Sequence, residues 1–139
     1  MDTNKNTTIG FDALLPLTQG VEDLFYELHR TIKGNIQQNL KMLLYTSPGE
    51  RIMVPDYGVG LKRFLFEQFP DFEIDAKIRE QVKKYLPQIT IMSLSISRDN
   101  RRIEIKSGHP NSLAIELIYE INQYNLRDSL IVVDTLTEV

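Results

Sequence analysis

Between Val21 and Leu44 the apolar positions Val21, Leu24, Phe25, Leu28, Ile32, Ile36, Leu40, Leu43 and Leu44 recur every three or four residues. That is the spacing of one helical face, sustained for about six turns. Thr18 stands where an N-cap belongs, and Glu22 and Asp23 follow in the first turn, where negative charge suits the helix dipole. Gly34 interrupts the pattern at a cost of about 1 kcal/mol against Ala and marks a place for a bend. Ser47-Pro48-Gly49 ends the helix, because the residue before a proline is pushed out of the helical region. Leu61, Phe64, Leu65 and Phe69 then predict a short helix closed by Pro70. A third helix, from about Glu73 to Leu86, puts Ile74, Ile78, Val82, Tyr85 and Leu86 on one face. Lys77, Arg79, Lys83 and Lys84 fall mostly on the other, and Pro87 stops it.

From Ile89 the period drops to two. Ile89 and Ile91 alternate with polar neighbours, and Met92, Leu94 and Ile96 then alternate on the opposite parity. A slip of one residue is what a β-bulge produces. Arg98 to Arg101 form a turn, and Ile103 and Ile105 begin a second strand. After a Gly-His-Pro-Asn loop, a third strand carries Leu113, Ile115, Leu117, Tyr119 and Ile121 on one face, with Glu116 and Glu120 on the other. The last strand, Leu130, Ile131, Val132 and Val133, is apolar at every position. Helices first and strands after define an α+β class with an antiparallel meander of about four strands. The expected organisation is a single domain: an arm over 1–17, a helical part over 18–87 and a β part over 88–139.

Composition narrows the function. A chain of 139 residues with 42% hydrophobic and 25% charged residues reads as one globular domain. The net charge of −3 gives no basic footprint for nucleic acid. Cysteine is absent, which removes disulfides, thiolate catalysis and zinc–sulfur sites. No apolar run approaches the roughly 18 residues of a membrane helix, so no membrane insertion is expected. The polar start lacks the layout of a secretory signal.

Catalytic constellations do not assemble. His29 and His109 are far apart, and neither has a companion at ligand spacing; both read as surface or packing residues. Glu50, Asp56, Glu67, Asp71, Glu73 and Asp75 supply carboxylates, and a glycosidase needs two of them about 5 to 9.5 Å apart. They fall at helix starts and solvent-facing positions, and Trp, a common sugar platform, is absent. The basic group Arg98, Arg101, Arg102 and Lys106 sits on a hairpin tip without interleaved aromatics, so a soluble turn is favoured over a phosphate site. No catalytic residue, cofactor or metal site is expected.

Two features point at partners. An exposed strand over Leu130 to Val133 would be a flat, uncharged pairing template, so it is either central in its sheet or covered by an added strand. The stretch TSPGERIMVPDYGVGL places Glu50 and Arg51 between Pro48-Gly49 and a run of Pro55, Gly58 and Gly60. Prolines and glycines so placed restrict the loop to one shape. The charge pair on it is either an internal clamp or a contact for another protein.

At these residues the chain resembles a known family. A long helix ending Leu-Leu-Tyr-Thr, then Pro-Gly-Glu-Arg, Ile-Met-Val-Pro, an aromatic-Gly pair and a short Leu/Phe helix are similar to the small baseplate wedge proteins of contractile injection machines: phage tails, tailocins, extracellular injection particles and type VI secretion. The resemblance runs from about Phe11 to the C-terminus and is most specific between Thr46 and Gly58. Members have often been labelled lysozyme-like. The resemblance implies a structural, non-enzymatic part that links the larger wedge proteins, through their helical core bundle, to the first sheath ring. The loop residues Gly49, Glu50, Arg51, Pro55, Tyr57 and Gly58 would contact that bundle. Leu113 to Ile121 and Leu130 to Val133 would belong to a sheet that docks the sheath subunit by strand addition. It further implies several copies per baseplate, assembled in the bacterial cytoplasm into a phage tail or tail-like particle. The rival reading is a muramidase that cleaves peptidoglycan.

Overall fold

The computed structural model describes residues 12–18, 31–67, 69–98 and 112–135. The chain divides into two compact units, Met1–Asn39 and Leu40–Val139. The elements run α1 (Ile32–Tyr45), α2 (Leu61–Phe66), α3 (Asp71–Tyr85), β1 (Ile89–Ser97), β2 (Ser112–Ile121) and β3 (Leu126–Thr135). This is the α+β order that the periodicity predicts, helices before an antiparallel sheet.

In the first unit, the described helix α1 is capped by Thr31; the helix start that Thr18 is expected to cap lies outside the described residues. The Thr31 hydroxyl accepts from the Gly34 N–H at 3.3 Å, and its carbonyl takes the first intrahelical bond from Asn35. The predicted helix from residue 21 therefore does not run unbroken through Thr31. Residues 19–30, with Val21, Leu24, Phe25, Leu28 and His29, lie outside the described residues. Gly34 accordingly sits in the first turn, where it introduces no bend in mid-helix. The side-chain amide of Gln38 grips the arm: its oxygen accepts from the Leu15 N–H and its nitrogen donates to the Ala13 carbonyl, each at 2.8 Å. An amide side chain thereby pairs with residues n and n+2 of extended backbone, as a neighbouring strand would.

Among the described residues, the second unit holds most of the core. Leu40, Leu43 and Leu44 of α1, Val59, Leu61 and Phe64 around α2, and Ile74, Ile78 and Val82 of α3 are buried. From the sheet come Ile89, Leu113, Ile115, Leu117, Tyr119, Ile121, Leu130 and Val132. α2 stops at Phe66 because Glu67 is extended, and Phe69 lies beyond the helix, edge-on to Phe64 at 5.2 Å. α3 starts at Asp71, two residues before the predicted Glu73, with Pro70 at the cap position, where the fixed φ of proline is tolerated. Asp71 and Glu73 in its first turn and Lys83 and Lys84 in its last complement the helix dipole.

The sheet is ordered β1-β2-β3, antiparallel throughout. The predicted bulge is present: Ile91 pairs with Tyr119 and Ser93 with Ile118, leaving Met92 as the extra residue. The bulge keeps Ile89, Ile91, Leu94 and Ile96 opposite Ile121, Tyr119, Leu117 and Ile115, on the face that packs inward. The sheet has three described strands against about four expected; the strand at Ile103 and Ile105 lies outside the described residues. β3 is longer than predicted, reaching back to Leu126 through Arg127, Asp128 and Ser129. Among the described strands it lies at the edge, not in the centre. Tyr119 and Asp128 are cross-strand partners, and the buried phenol donates to the Asp128 carboxylate at 2.8 Å.

A clamped loop as the candidate docking site

Residues 46–60 connect α1 to α2 and fold on themselves. The Gly49 N–H donates to the Pro55 carbonyl at 2.8 Å, closing the loop at its neck. Within it, Glu50 N–H donates to Ser47, Val54 N–H to Arg51 and Tyr57 N–H to Val54, three successive tight turns. At the base, the Val59 N–H donates to the Leu43 carbonyl of α1. Gly49, Gly58 and Gly60 all have positive φ, at 92°, 109° and 70°. A Cβ at residue 58 would also collide with the Thr46 carbonyl oxygen, so both backbone and space require glycine there.

α3 fastens this loop from below with Gln81, a 2% exposed polar side chain on the apolar face of the helix. Its oxygen accepts from the Gly58 N–H at 2.9 Å and its nitrogen donates to the Asp56 carbonyl at 3.0 Å. The n and n+2 pairing that Gln38 makes with the arm is repeated here. The sequence carries a signal for Gln81 in its spacing, three residues after Ile78 and beside Val82. A polar residue on a buried stripe has to find hydrogen-bond partners.

Glu50 and Arg51 are both exposed, and each engages a partner within the loop. The Glu50 carboxylate accepts from the Ser47 N–H at 3.0 Å. The Arg51 guanidinium lies 3.9 Å over the centre of the Tyr57 ring, a cation–π stack. Tyr57 in turn stands edge-on to Tyr85 of α3 at 4.9 Å. Lys84 lies 5.2 Å from the Tyr85 ring and 3.6 Å from the Asp56 carboxylate, tying the same corner to the helix. Burial pushes the Tyr57 phenol above its ordinary value, and the nearby Arg51 charge offsets part of that rise. The Lys84 ammonium is also raised, first by its hydrogen bond with Tyr85.

At its tip the loop offers apolar side chains to solvent. Ile52 is 93% and Met53 91% exposed at the tip, with Val54 beside them. Neither tip residue stands out in the sequence, where Ile and Met after a Gly-Glu-Arg turn read as ordinary loop content.

The strand residues divide by role. Leu113, Ile115, Leu117, Tyr119, Ile121, Leu130 and Val132 point into the core, whereas Ile131 and Val133 lie on the other face of β3. β2 is paired on both sides, so any added strand has to meet β1 or β3. The Tyr45 hydroxyl donates to the Val133 carbonyl at 3.4 Å, which engages the late part of β3.

The other candidates do not converge. Asp71 pairs with Arg98 at 3.0 Å and Asp75 with Arg79 at 2.8 Å. Arg98 also donates to the Phe69 carbonyl, so it serves the turn between α2 and α3. Arg101, Arg102, Lys106 and His109 lie outside the described residues. Among the described residues no group of three or more His, Asp or Glu is placed to hold a metal, and no helix is long and apolar enough to cross a membrane.

The α+β fold is shared with solved structures. A candidate tail lysozyme from Geobacter sulfurreducens aligns with a TM-score of 0.61 and 24% identity, over 78% of this chain and 94% of that one. The baseplate of the anti-feeding prophage contains a chain that aligns with a TM-score of 0.60 and 24% identity, over 78% and 82%. At that identity these likenesses speak for the fold. No curated protein matches the sequence. Residues 30–126 match the family described as baseplate wedge protein gp25, and the chain belongs to that family.

Proposed function

We propose that the chain is a structural, non-enzymatic wedge component of a contractile injection machine, acting as one domain. The loop over 46–60 joins it to the larger wedge subunits, and its sheet seats the first sheath ring by strand addition. Assembly in the bacterial cytoplasm, in several copies per baseplate, belongs to the same reading. The observation that carries it is the loop itself: backbone bonds, three positive-φ glycines and a buried glutamine fix its shape, yet Ile52 and Met53 at its tip stay exposed. Preorganisation of that kind lowers the entropy lost when a partner binds. Strand addition at β3 is directional, which suits a part that sets the register of a sheath.

The test is particle assembly. Arg51→Ala removes the stack on Tyr57, and Ile131→Lys puts a cation on the half-exposed face of the edge strand, a substitution that blocks edge pairing. Both variants are expected to fold. Arg51→Ala is expected to stop baseplate assembly, and Ile131→Lys to give baseplates without sheath. Normal sheathed particles from both variants would refute the reading.

The muramidase reading draws only on the description of one similar structure. A glycosidase acid needs a carboxyl held protonated by burial. Glu50, Asp56, Glu67, Asp71 and Glu73 are exposed, and three of these five are engaged in the bonds described above. Turbidity of purified cell walls, with Glu50, Glu67 and Glu73 each changed to Gln, decides it: carboxylate-dependent lysis would establish an enzyme.

A further inference from the structure

We infer that Met53 is a reversible oxidation site: its thioether is the most exposed among the described methionines, and its sulfoxide turns the loop tip polar while the fold beneath stays intact. The oxidation chemistry stands on sequence and geometry alone; its effect on assembly rests on the docking-loop reading.

The chain has four methionines and no cysteine, so thioethers are the only sulfur it offers an oxidant. Three of the four lie among the described residues, and their settings differ. Met42 is half-buried on α1, beside the buried Leu43 and Leu44. Met92 is 51% exposed, where the bulge takes it out of the pairing between β1 and β2. Met53 is 91% exposed. Attack on a thioether needs an open line to the sulfur, so exposure ranks the three Met53, Met92, Met42.

A hydroperoxide is the oxidant. One oxygen atom passes to the Met53 sulfur: an S–O bond forms as the O–O bond breaks, sulfur gives up two electrons, and hydrogen peroxide leaves as water. A methionine sulfoxide reductase returns the thioether. Two thiols supply the electrons and protons, close to a disulfide, and the oxygen leaves as water. The frame of the loop tolerates the change. Main-chain bonds from Gly49 to Pro55 and from Val54 to Arg51 close it, and Gln81 holds the Gly58 N–H and the Asp56 carbonyl. None of these bonds uses the Met53 side chain. Oxidation inside a core disrupts packing, whereas here it alters only the surface between Ile52 and Val54, both themselves exposed. A sulfoxide is polar and keeps its water, so burying it in an apolar contact without a donor is costly. The oxidised chain is therefore held out of assembly until it is reduced.

The experiment treats the purified chain with hydrogen peroxide, samples it over time and reads the sulfoxide at each methionine by peptide mass spectrometry. Met53 is expected to oxidise first, about threefold or more faster than Met92, with Met42 last. Oxidation of Met53 no faster than that of Met42 or Met92 overturns the inference, as does failure of a methionine sulfoxide reductase with a dithiol to reverse it. Chain oxidised at Met53 is expected to unfold at the same temperature as untreated chain, and a lower temperature also overturns the inference. Extract of a particle-producing strain that lacks the chain is then supplemented with untreated, oxidised, or oxidised and reduced chain. Incorporation into particles is expected to fall by about fivefold or more on oxidation and to return on reduction. In Met53→Leu, peroxide treatment is expected to cause no such fall. Undiminished incorporation of the oxidised chain, or the same fall in Met53→Leu as in wild type, overturns the effect on assembly and leaves the baseplate reading standing. Absence of the untreated chain from the particles overturns both.

Discussion

Gln81 sits on the face of α3 that also buries Ile74, Ile78 and Val82, and it answers two backbone groups of the loop at once. Replacing it by Ala leaves the Gly58 N–H and the Asp56 carbonyl without that partner, and a buried group left unpaired costs about 1–3 kcal/mol. Gln81→Ala is therefore expected to lower stability by about 2 kcal/mol in urea unfolding. Its signature is local: the Gly58 amide, protected in the wild type, is expected to exchange at a rate set by loop opening and not by global unfolding. Unchanged exchange at Gly58 would mean that the turns alone hold the loop. Gly58 itself is required by geometry, since both its φ of 109° and the Thr46 carbonyl exclude a side chain.

Among the elements, Arg98 at the end of β1 secures the turn between α2 and α3, by pairing with Asp71 and donating to the Phe69 carbonyl. Arg98→Ala is expected to cost about 1 kcal/mol, because the pair is largely solvent-exposed and only the carbonyl contact is sheltered. Thermal unfolding measures it, and a larger loss would show that this turn holds the start of α3 more firmly than an exposed pair can. Much of the element plan was readable in the chain. Stripes such as Ile74, Ile78 and Val82 encode burial directly, and the parity change at Met92 encodes the bulge because period two admits only one extra residue. The first half of β3 was not readable: Arg127 and Ser129 face solvent, and Asp128 is a polar residue satisfied by Tyr119. Hydrophobic alternation is silent about such a strand, and its pairing with β2 supplies the order instead. The shape of the site was legible in its prolines and glycines. Its exposed tip was not, because the identity of Ile52 and Met53 says nothing about which side of a turn they occupy.

At the level of the whole molecule, the aromatic corner links loop integrity to pH. The folded state holds the Tyr57 phenol above its ordinary value of 10.0 by burial, so the unfolded chain loses that proton first as pH rises. Tyr57 thus contributes stability that is complete below about pH 10 and is lost as the pH climbs through the raised value. The raised Lys84 acts in the same direction, because its ammonium is retained longer in the fold than in the unfolded chain. The contribution of these two groups is expected to be flat from neutral pH to about 10 and to fall beyond it. Tyr57→Phe should lose less over that alkaline range, and denaturant unfolding at neutral and alkaline pH compares the two chains directly. An identical alkaline loss in both would remove Tyr57 from the account.

The two glutamine clamps hydrogen-bond to main-chain atoms: Gln38 grips Ala13 and Leu15, and Gln81 grips Asp56 and Gly58. The neck bond from Gly49 to Pro55 is likewise blind to side chains. Positions 52 to 54 therefore form an interchangeable cassette, whose lettering can be rewritten while the frame around it stays the same. On the docking-loop reading, a lineage meeting a new partner retunes its grip through these three residues without refolding anything, and a grafted tip from a relative offers the same freedom in the laboratory.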